Sequence, residues 1–296
     1  MNMPTVKQLR YLVALDEVTH FGKAAEACRV SQPAFSMAIK EVETLLGVQL
    51  VDRTNKSVTM TEAGRQVAQN ARICLNDLTN LVHRATALDG PLAGKLTLGI
   101  IPTIAPFVLP SVMKAIAKQY PDLKLFLKER MTLMLYDELM AGYLDAILVA
   151  LPYDFKHVEI LPLYRDYFHL AYREDTTWLE IKESNIPDLK PESVLLLEDG
   201  HCLREHTLSA CKLRNTDKVN QFCATGLYTL LNMVENDMGV TFLPQMAEGS
   251  TLLKNSKIKM SKLHEDSYRK IGLVWRKNSA QRAEFEALGE LIRNCR

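Results

Sequence analysis

The sequence predicts an α/β chain: a mainly helical N-terminal unit, one long linker helix, and a C-terminal α/β part long enough for two lobes. Three observations carry this. Residues 1–60 show helical apolar spacing followed by two short extended runs. Residues 61–90 keep an apolar position every three or four residues, with no glycine or proline between Gly64 and Gly90. Beyond them, strand and helix patterns alternate. At 296 residues the chain exceeds ordinary single-domain size, so two or more domains are expected. Hydrophobic residues at 47% and charged residues at 24% give ample material for a core. The formal net charge of +1 provides no global field for a nucleic-acid partner, so such a partner has to be argued from local pattern. The stretch Met1–Leu15 mixes Lys7 and Arg10 with apolar residues and does not read as a signal peptide. No run of about 18 uncharged apolar residues exists to cross a membrane, so a cytoplasmic protein is expected. Six cysteines, Cys28, Cys74, Cys202, Cys211, Cys223 and Cys295, without a secretion signal do not form a structural disulfide framework.

Taken in order, Val6, Leu9, Leu12 and Val13 mark a first helix over 5–18. Lys23–Cys28 reads as a second, short helix whose alanines let a neighbour pack closely. Ser31 is a good N-cap, and Pro33 is tolerated in a first turn because its missing N–H is unneeded there. The third helix places Phe35, Ala38, Ile39, Val42, Leu45 and Leu46 on an apolar stripe, with Gln32, Ser36, Lys40 and Glu43 opposite, and Gly47 ends it. A short helix, a tight turn and a capped helix with a polar outer face make a helix-turn-helix. Its second helix reads base edges from its N-terminal end; Gln suits adenine, and Lys suits guanine or phosphate. Two extended runs then flank a polar turn with Arg53 and Lys56, a wing able to reach phosphate. With seven Lys/Arg against six Asp/Glu in residues 1–60, a plain three-helix bundle with a solvated face stays open on pattern alone.

The run FGKAAEACRVSQPAFSMAIKEVETLLGVQLVDRTNKSVTMTEAG resembles the winged helix-turn-helix of LysR-type transcriptional regulators, with its AA, SQPAFS, E-x-x-LG and T-x-AG in register. The resemblance implies that Ser31, Gln32, Pro33, Ser36, Lys40 and Arg53 lie at or near double-stranded promoter DNA, and that the C-terminal part is an effector domain like the periplasmic binding proteins, of two α/β lobes.

Thr61 and Glu62 open the long helix, where cap and acid favour an N-terminus. Val67, Ala71, Cys74, Leu78, Leu81, Ala85 and Leu88 follow at alternating four- and three-residue steps, the mark of a coiled-coil seam. A homodimer through 67–88 reading two half-sites is expected; the family adds a homotetramer. Gly90-Pro91 breaks the helix. The domains expected are 1–60 for DNA binding, 61–90 for linking and dimerisation, and 91–296 for the effector. By the resemblance, lobe I takes about 92–165 and 270–296, and lobe II about 166–269.

In the effector, strands are expected at Lys95–Ile100, Leu123–Leu127, Ala146–Leu151, Tyr167–Tyr172, Ser193–Leu197, Val240–Leu243 and Ile271–Arg276. Helices are expected at Pro106–Gln119, Thr132–Gly142, Leu203–Lys212, Leu227–Asn236 and Ala280–Arg293. The alternation predicts a largely parallel sheet.

The run Glu198-Asp199-Gly200-His201-Cys202-Leu203-Arg204 places Cys202 near a helix N-terminus beside two basic side chains, a setting that favours the reactive thiolate. Cys211 stands nine residues on. Across an intact helix that step spans roughly 13 Å, whereas a disulfide needs Cα atoms within about 7 Å. If the two pair, the segment must unwind or move, as a two-state switch does. Inert core cysteines are the plainer alternative. A zinc site from His201, Cys202, His206 and Cys211 is another, although the spacing is not a standard zinc pattern, and no metal or cofactor is expected.

The segments GHCLREHTLSAC, LGIIPTIAP and ATGLYTLLNMVENDMGVTFLP resemble the peroxide-sensing members of the same family. That resemblance implies a peroxidatic Cys202 and a resolving Cys211, with Thr103, Thr132, His201 and Arg269 around the peroxide or the thiolate. The chemistry would run through a sulfenic acid to a disulfide, with glutathione or thioredoxin systems re-reducing it and RNA polymerase as a partner at the promoter. Gly226 and Tyr228 depart from the Ser and the acid of that pattern, and Cys223 adds a thiol. For Thr103 and Thr132, helix capping is the plain alternative; for Arg269, a surface charge. Two other functions stay open: a family member answering to a small metabolite in the inter-lobe cleft, with incidental cysteines, and a peroxide-consuming enzyme, for which a helix-turn-helix has no use.

Overall fold

The computed structural model describes residues 3–53, 58–86, 92–179, 189–210, 216–263 and 266–295. The chain divides into two compact units, Met1–Gly90 with Met140–Tyr143, and Pro91–Leu139 with Leu144–Arg296.

In the first unit, α1 (Val6–Val18), α2 (Phe21–Ala27) and α3 (Gln32–Leu46) precede β1 (Val51–Arg53), β2 (Val58–Met60) and α4 (Glu62–Thr86). Thr5 caps α1 in a reciprocal capping box with Gln8. Ser31 caps α3, its hydroxyl accepting from the Ala34 N–H. Gly47 closes α3 at φ 67°, a left-handed turn that suits glycine. Phe35, Ile39 and Val42 are fully buried and meet Leu12, Leu15 and Phe21 in one core. Two expectations for α3 need correction. Leu46 is exposed, because the helix ends before that face reaches the core. Glu43 is not on the solvated stripe: its Oε1 accepts from the Leu50 and Val51 N–H groups at 2.9 and 3.1 Å, tying α3 to the wing. β1 and β2 pair antiparallel as that wing; its turn, with Lys56, lies outside the described residues.

Thr61 caps α4 by accepting from the Gly64 N–H. The first half of the expected seam faces its own unit. Val67 packs on the three-helix core, Ala68 and Ala71 are buried, and Arg72, read as a solvated face, is buried and paired to Asp16 at 3.0 Å. Cys74, Leu78 and Leu81 remain exposed on the second half. The Ala85 side chain and Leu88 lie outside the described residues.

In the second unit, β3 (Gly94–Ile100), α5 (Ala105–Gln119), β4 (Leu123–Glu129), α6 (Thr132–Met140) and β5 (Ala146–Leu151) form parallel β-α-β units, with β3 between β4 and β5. β6 (Val158–Arg173) follows, then β7 (Val194–Leu197), α7 (Cys202–Ala210), β8 (Val219–Ala224), α8 (Leu227–Glu235), β9 (Thr241–Pro244), β10 (Ile258–Lys262), β11 (Tyr268–Arg276) and α9 (Arg282–Asn294). The sheet is mixed rather than largely parallel. β11 re-enters from the second lobe between β5 and β6, antiparallel to both, and β9 and β10 flank the far half of β6 antiparallel. β7 and β8 pair in parallel, and Val194 bridges to Val240. Two apolar cores result. One gathers β3, β5 and β11 with α5, α6 and α9; the other gathers β7, β9 and the far half of β6 with α8. β6 contributes to both.

Among the described residues no helix is long and apolar enough to cross a membrane.

Candidate functional site

The site forms where α7 of the second lobe faces α6 and the start of α5 in the first. Cys202 is the first residue of α7, so its own N–H is one of the helix donors without an intrahelical partner. Its Sγ lies 2.6 Å from the Thr132 hydroxyl. Thr132 is the first helical residue of α6 rather than a cap, and its hydroxyl is spent on the sulfur.

Behind this pair stands Arg269 on β11, only 1% exposed. Nε donates to Asp166 Oδ2 at 2.9 Å, Nη1 to Thr103 Oγ1 at 3.0 Å, and Nη2 to the Thr103 carbonyl at 2.9 Å. Arg269 and Asp166 face each other in the β11–β6 ladder, so sheet register delivers the ion pair. The other Asp166 oxygen accepts from the Met246 N–H, and Met246 Sδ touches the guanidinium at 3.7 Å. Thr103 therefore does not cap α5: Ile104 holds that position without a side-chain bond.

His201 is buried, with Nε2 3.1 Å from the Thr225 carbonyl, which holds the loop before Cys202 against the end of β8. His206, one turn after Cys202, places Nε2 3.3 Å from the Pro152 carbonyl, and its Nδ1 is buried with no hydrogen-bond partner among the described residues. Burial holds His206 below the ordinary histidine range, aided by Arg269.

The electrostatics correct one expectation. Burial pushes the Cys202 thiol up, and the Thr132 hydroxyl, Arg269 and the helix N–H draw it back only in part. Burial therefore opposes the thiolate that the helix N-terminus favours. Cys211 lies outside the described residues. Of the others, Cys28 and Cys295 are also held up by burial, Cys74 is exposed on α4, and Cys223 sits 3.5 Å from Arg204 Nη1.

In the first unit, Gln32, Pro33 and Lys40 are exposed on α3 and Ser36 is half-buried beside them, around the Ser31 cap. Arg53 ends β1, and its side chain lies outside the described residues.

Residues 6–65 match the family model described as bacterial regulatory helix-turn-helix protein, lysR family. Residues 89–295 match the LysR substrate binding domain.

The chain belongs to the LysR family of transcriptional regulators.

This LysR-type chain is 36% identical over 288 residues to the hydrogen peroxide-inducible genes activator of Escherichia coli O6:H1, covering 97% of this chain and 94% of that protein. The K12 counterpart, the dual regulator OxyR, aligns equally. It is 34% identical over 292 residues to the regulator EstR of Acinetobacter baylyi, covering 98% and 97%. Full-length OxyR C199D of Pseudomonas aeruginosa superposes with a TM-score of 0.79 at 31% identity, covering 99% of both chains. The LysR-type architecture of winged helix-turn-helix and two-lobed α/β regulatory domain thus holds end to end.

Two members of the site had no place in the sequence reading, Asp166 and Met246. An aspartate inside an extended run, at the step that faces a buried arginine, is the signal for the first, but it requires β6 to be read through 158–166. Met246 offers no such signal, since its thioether is an ordinary apolar filler until a guanidinium lies beside it.

Proposed function

We propose that this LysR-type regulator senses hydrogen peroxide through Cys202 and carries the signal to promoter DNA. The observation that carries the proposal is the Cys202–Thr132 contact at 2.6 Å, backed by a buried Arg269 already organised by Thr103 and Asp166. A sulfur attacking one peroxide oxygen expels the other with negative charge, and fixed hydroxyl and guanidinium donors stabilise that charge. Cys202 becomes a sulfenic acid, and Cys211 condenses with it to a disulfide, releasing water. Re-reduction falls to the glutathione or thioredoxin system, so turnover is essentially stoichiometric and the protein is not an enzyme. Ser31, Gln32, Pro33, Ser36, Lys40 and Arg53 meet the DNA. The exposed part of α4 pairs two chains, and two pairs make a tetramer that positions RNA polymerase in the cytoplasm.

Mapping of disulfides before and after micromolar peroxide tests the sensor, and footprinting of both forms on selected promoter fragments tests its reach. A Cys202–Cys211 disulfide with a changed footprint length is expected. Absence of that disulfide would sink the redox switch.

A second reading has its own support. Beside Met246 lies a cavity of about 430 Å³ lined by residues that include Phe107, Tyr164, Gln245, Met246, Glu248 and Ile292, a mixed polar and apolar lining of a size that suits a small metabolite. A Cys202→Ser protein that still answers fully to its inducer in a reporter assay would favour this reading.

A further inference from the structure

The cavity beside Met246 and the donors behind Cys202 share a wall. Met246 lies on the short 3-10 turn Gln245–Ala247 that follows β9. Its side chain lines the cavity. The same residue is tied to the sensor pocket: its N–H donates to Asp166 Oδ1 at 3.2 Å, and its Sδ stands 3.7 Å from Arg269 Nη2. Asp166 in turn holds Arg269 Nε, and that same Nη2 donates to the Thr103 carbonyl. Met246 therefore stands between an occupant of the cavity and the guanidinium.

The lining selects the kind of occupant. Phe107 of α5, Ile292 of α9 and Met246 give it apolar surface, in a volume of about 430 Å³ that is ordinary for a small ligand. Two of its polar groups are turned to the protein: Ser111 Oγ donates to the Val108 carbonyl, and Cys295 Sγ faces the Ser111 carbonyl at 3.8 Å. The charged side chain of the wall is Glu248. It is 61% exposed, so it stands on the solvent side, and among the described residues its ion-pair neighbour is His169 at 3.9 Å rather than a lysine or an arginine. Arg269 is already paired with Asp166 and lies beyond the thioether. A carboxylate on the solvent side, with an aromatic ring and apolar surface further in, favours a cation with an apolar body; an anion meets like charge.

We propose that this cavity binds a small organic ammonium ion and that its occupancy tunes the sensor pocket through Met246. The proposal rests on the metabolite reading of the cavity, and it makes that input and the thiol parts of one regulator instead of alternatives. The ammonium group sits at Glu248, and the apolar body lies along Phe107, Ile292 and the Met246 side chain. Filling the space beside the thioether holds Met246 against Arg269 and so steadies the guanidinium whose charge acts on Cys202. The occupant binds the steadied arrangement better than the loose one, and that difference in affinity is what lets an effector shift a protein between two states.

Benzylammonium chloride serves as the probe and sodium benzoate as its anionic match, each titrated calorimetrically into the full chain. Saturable binding of benzylammonium with a Kd of about 1 mM or tighter is expected, with benzoate at least about fivefold weaker. Glu248→Gln should weaken benzylammonium by about fivefold, the scale of an exposed ion pair. Met246→Leu, close in volume, should keep the binding. Coupling is read from the rate at which iodoacetamide, an uncharged reagent, alkylates Cys202, followed by peptide mass spectrometry. Saturating benzylammonium should raise that rate by about fivefold in the parent and by less than about twofold in Met246→Leu. An unchanged affinity in Glu248→Gln overturns the site. An alkylation rate that benzylammonium leaves alone, or raises equally in Met246→Leu, overturns the coupling. Benzoate bound as tightly as benzylammonium, or in its place, overturns the cation and leaves the cavity a metabolite site; binding of neither overturns both. Should a variant fail to fold, the parent's preference for the cation and the response of Cys202 to it decide. A parent that binds benzylammonium and never oxidises Cys202 with peroxide overturns the sensing reading, and the binding and alkylation results still judge the cavity.

Discussion

At the scale of single residues, the site is a thiol held by one hydroxyl and a guanidinium held by three partners. Thr132→Val keeps the shape of the side chain and deletes the hydroxyl 2.6 Å from Cys202. A hydrogen bond to a charged sulfur is worth about 1.5–3 kcal/mol, so peroxide oxidation of the variant is expected to slow by at least about tenfold. Stopped-flow oxidation kinetics measure this, and an unchanged rate would remove Thr132 from the chemistry. Asp166→Ala strands a guanidinium that is almost fully buried, and removal of one partner from such a pair costs about 3–5 kcal/mol. Urea unfolding of the variant should show a loss of that size; a loss below about 1 kcal/mol would mean that Thr103 and solvent suffice. Much of this scale was legible beforehand. The Thr132 hydroxyl lies on Cys202 and Thr103 on Arg269, residues that the sequence had singled out. The upward push on the thiol was not legible, because sequence shows the helix N-terminus that lowers a thiol and not the burial that raises it.

At the scale of elements, helices were easier to read than strands. Caps, spacing and terminal glycine placed α1 to α3 within a residue or two of their positions. Ala146–Leu151, buried at every residue, stood out as an unbroken apolar run. β8, β10 and the first half of β6 did not, since each keeps exposed or half-exposed residues through its length and lacks a clean alternation. The mixed sheet followed from the same gap: without the whole of β6, nothing showed that β11 returns between two strands that run the other way. For α4, the apolar seam was legible but its partner was not, and the fold assigns Val67 and Ala71 to its own unit. The proposed pairing of two chains therefore falls to the second half. Leu78→Lys with Leu81→Lys should shift sedimentation toward the single chain and weaken promoter binding at equal concentration. A double variant that sediments as the parent would move the dimer contact elsewhere.

At the scale of the whole molecule, buried histidines are expected to weaken stability in mild acid. His169 is 3% exposed on β6, with Glu248 at 3.9 Å and Lys262 and Asp166 also acting on it, and burial holds it below the ordinary histidine range; His206 is shifted the same way. A folded-state value below the unfolded one means that the unfolded chain binds the proton first. The associated stability is present above about pH 6.5 and is lost as pH falls through the folded values. Thermal melts should therefore drop from about pH 7.5 to pH 5.5, and His169→Gln should flatten the drop. An equal drop in that variant would assign the loss to other groups.

The two lobes are joined by hydrogen-bonded strands rather than by loose linkers. β6 runs unbroken for 16 residues, pairing with β11 in one lobe and with β9 and β10 in the other. To open or shut the gap between lobes like a jaw, the molecule would have to fold a continuous ribbon and tear its ladder near residue 167. The body behaves as an anvil. Under the proposed peroxide reading, an event at the sulfur has little scope to swing the lobes, and its outlet would be the short helix that carries Cys202, felt by a neighbouring copy as a change of surface and not of span.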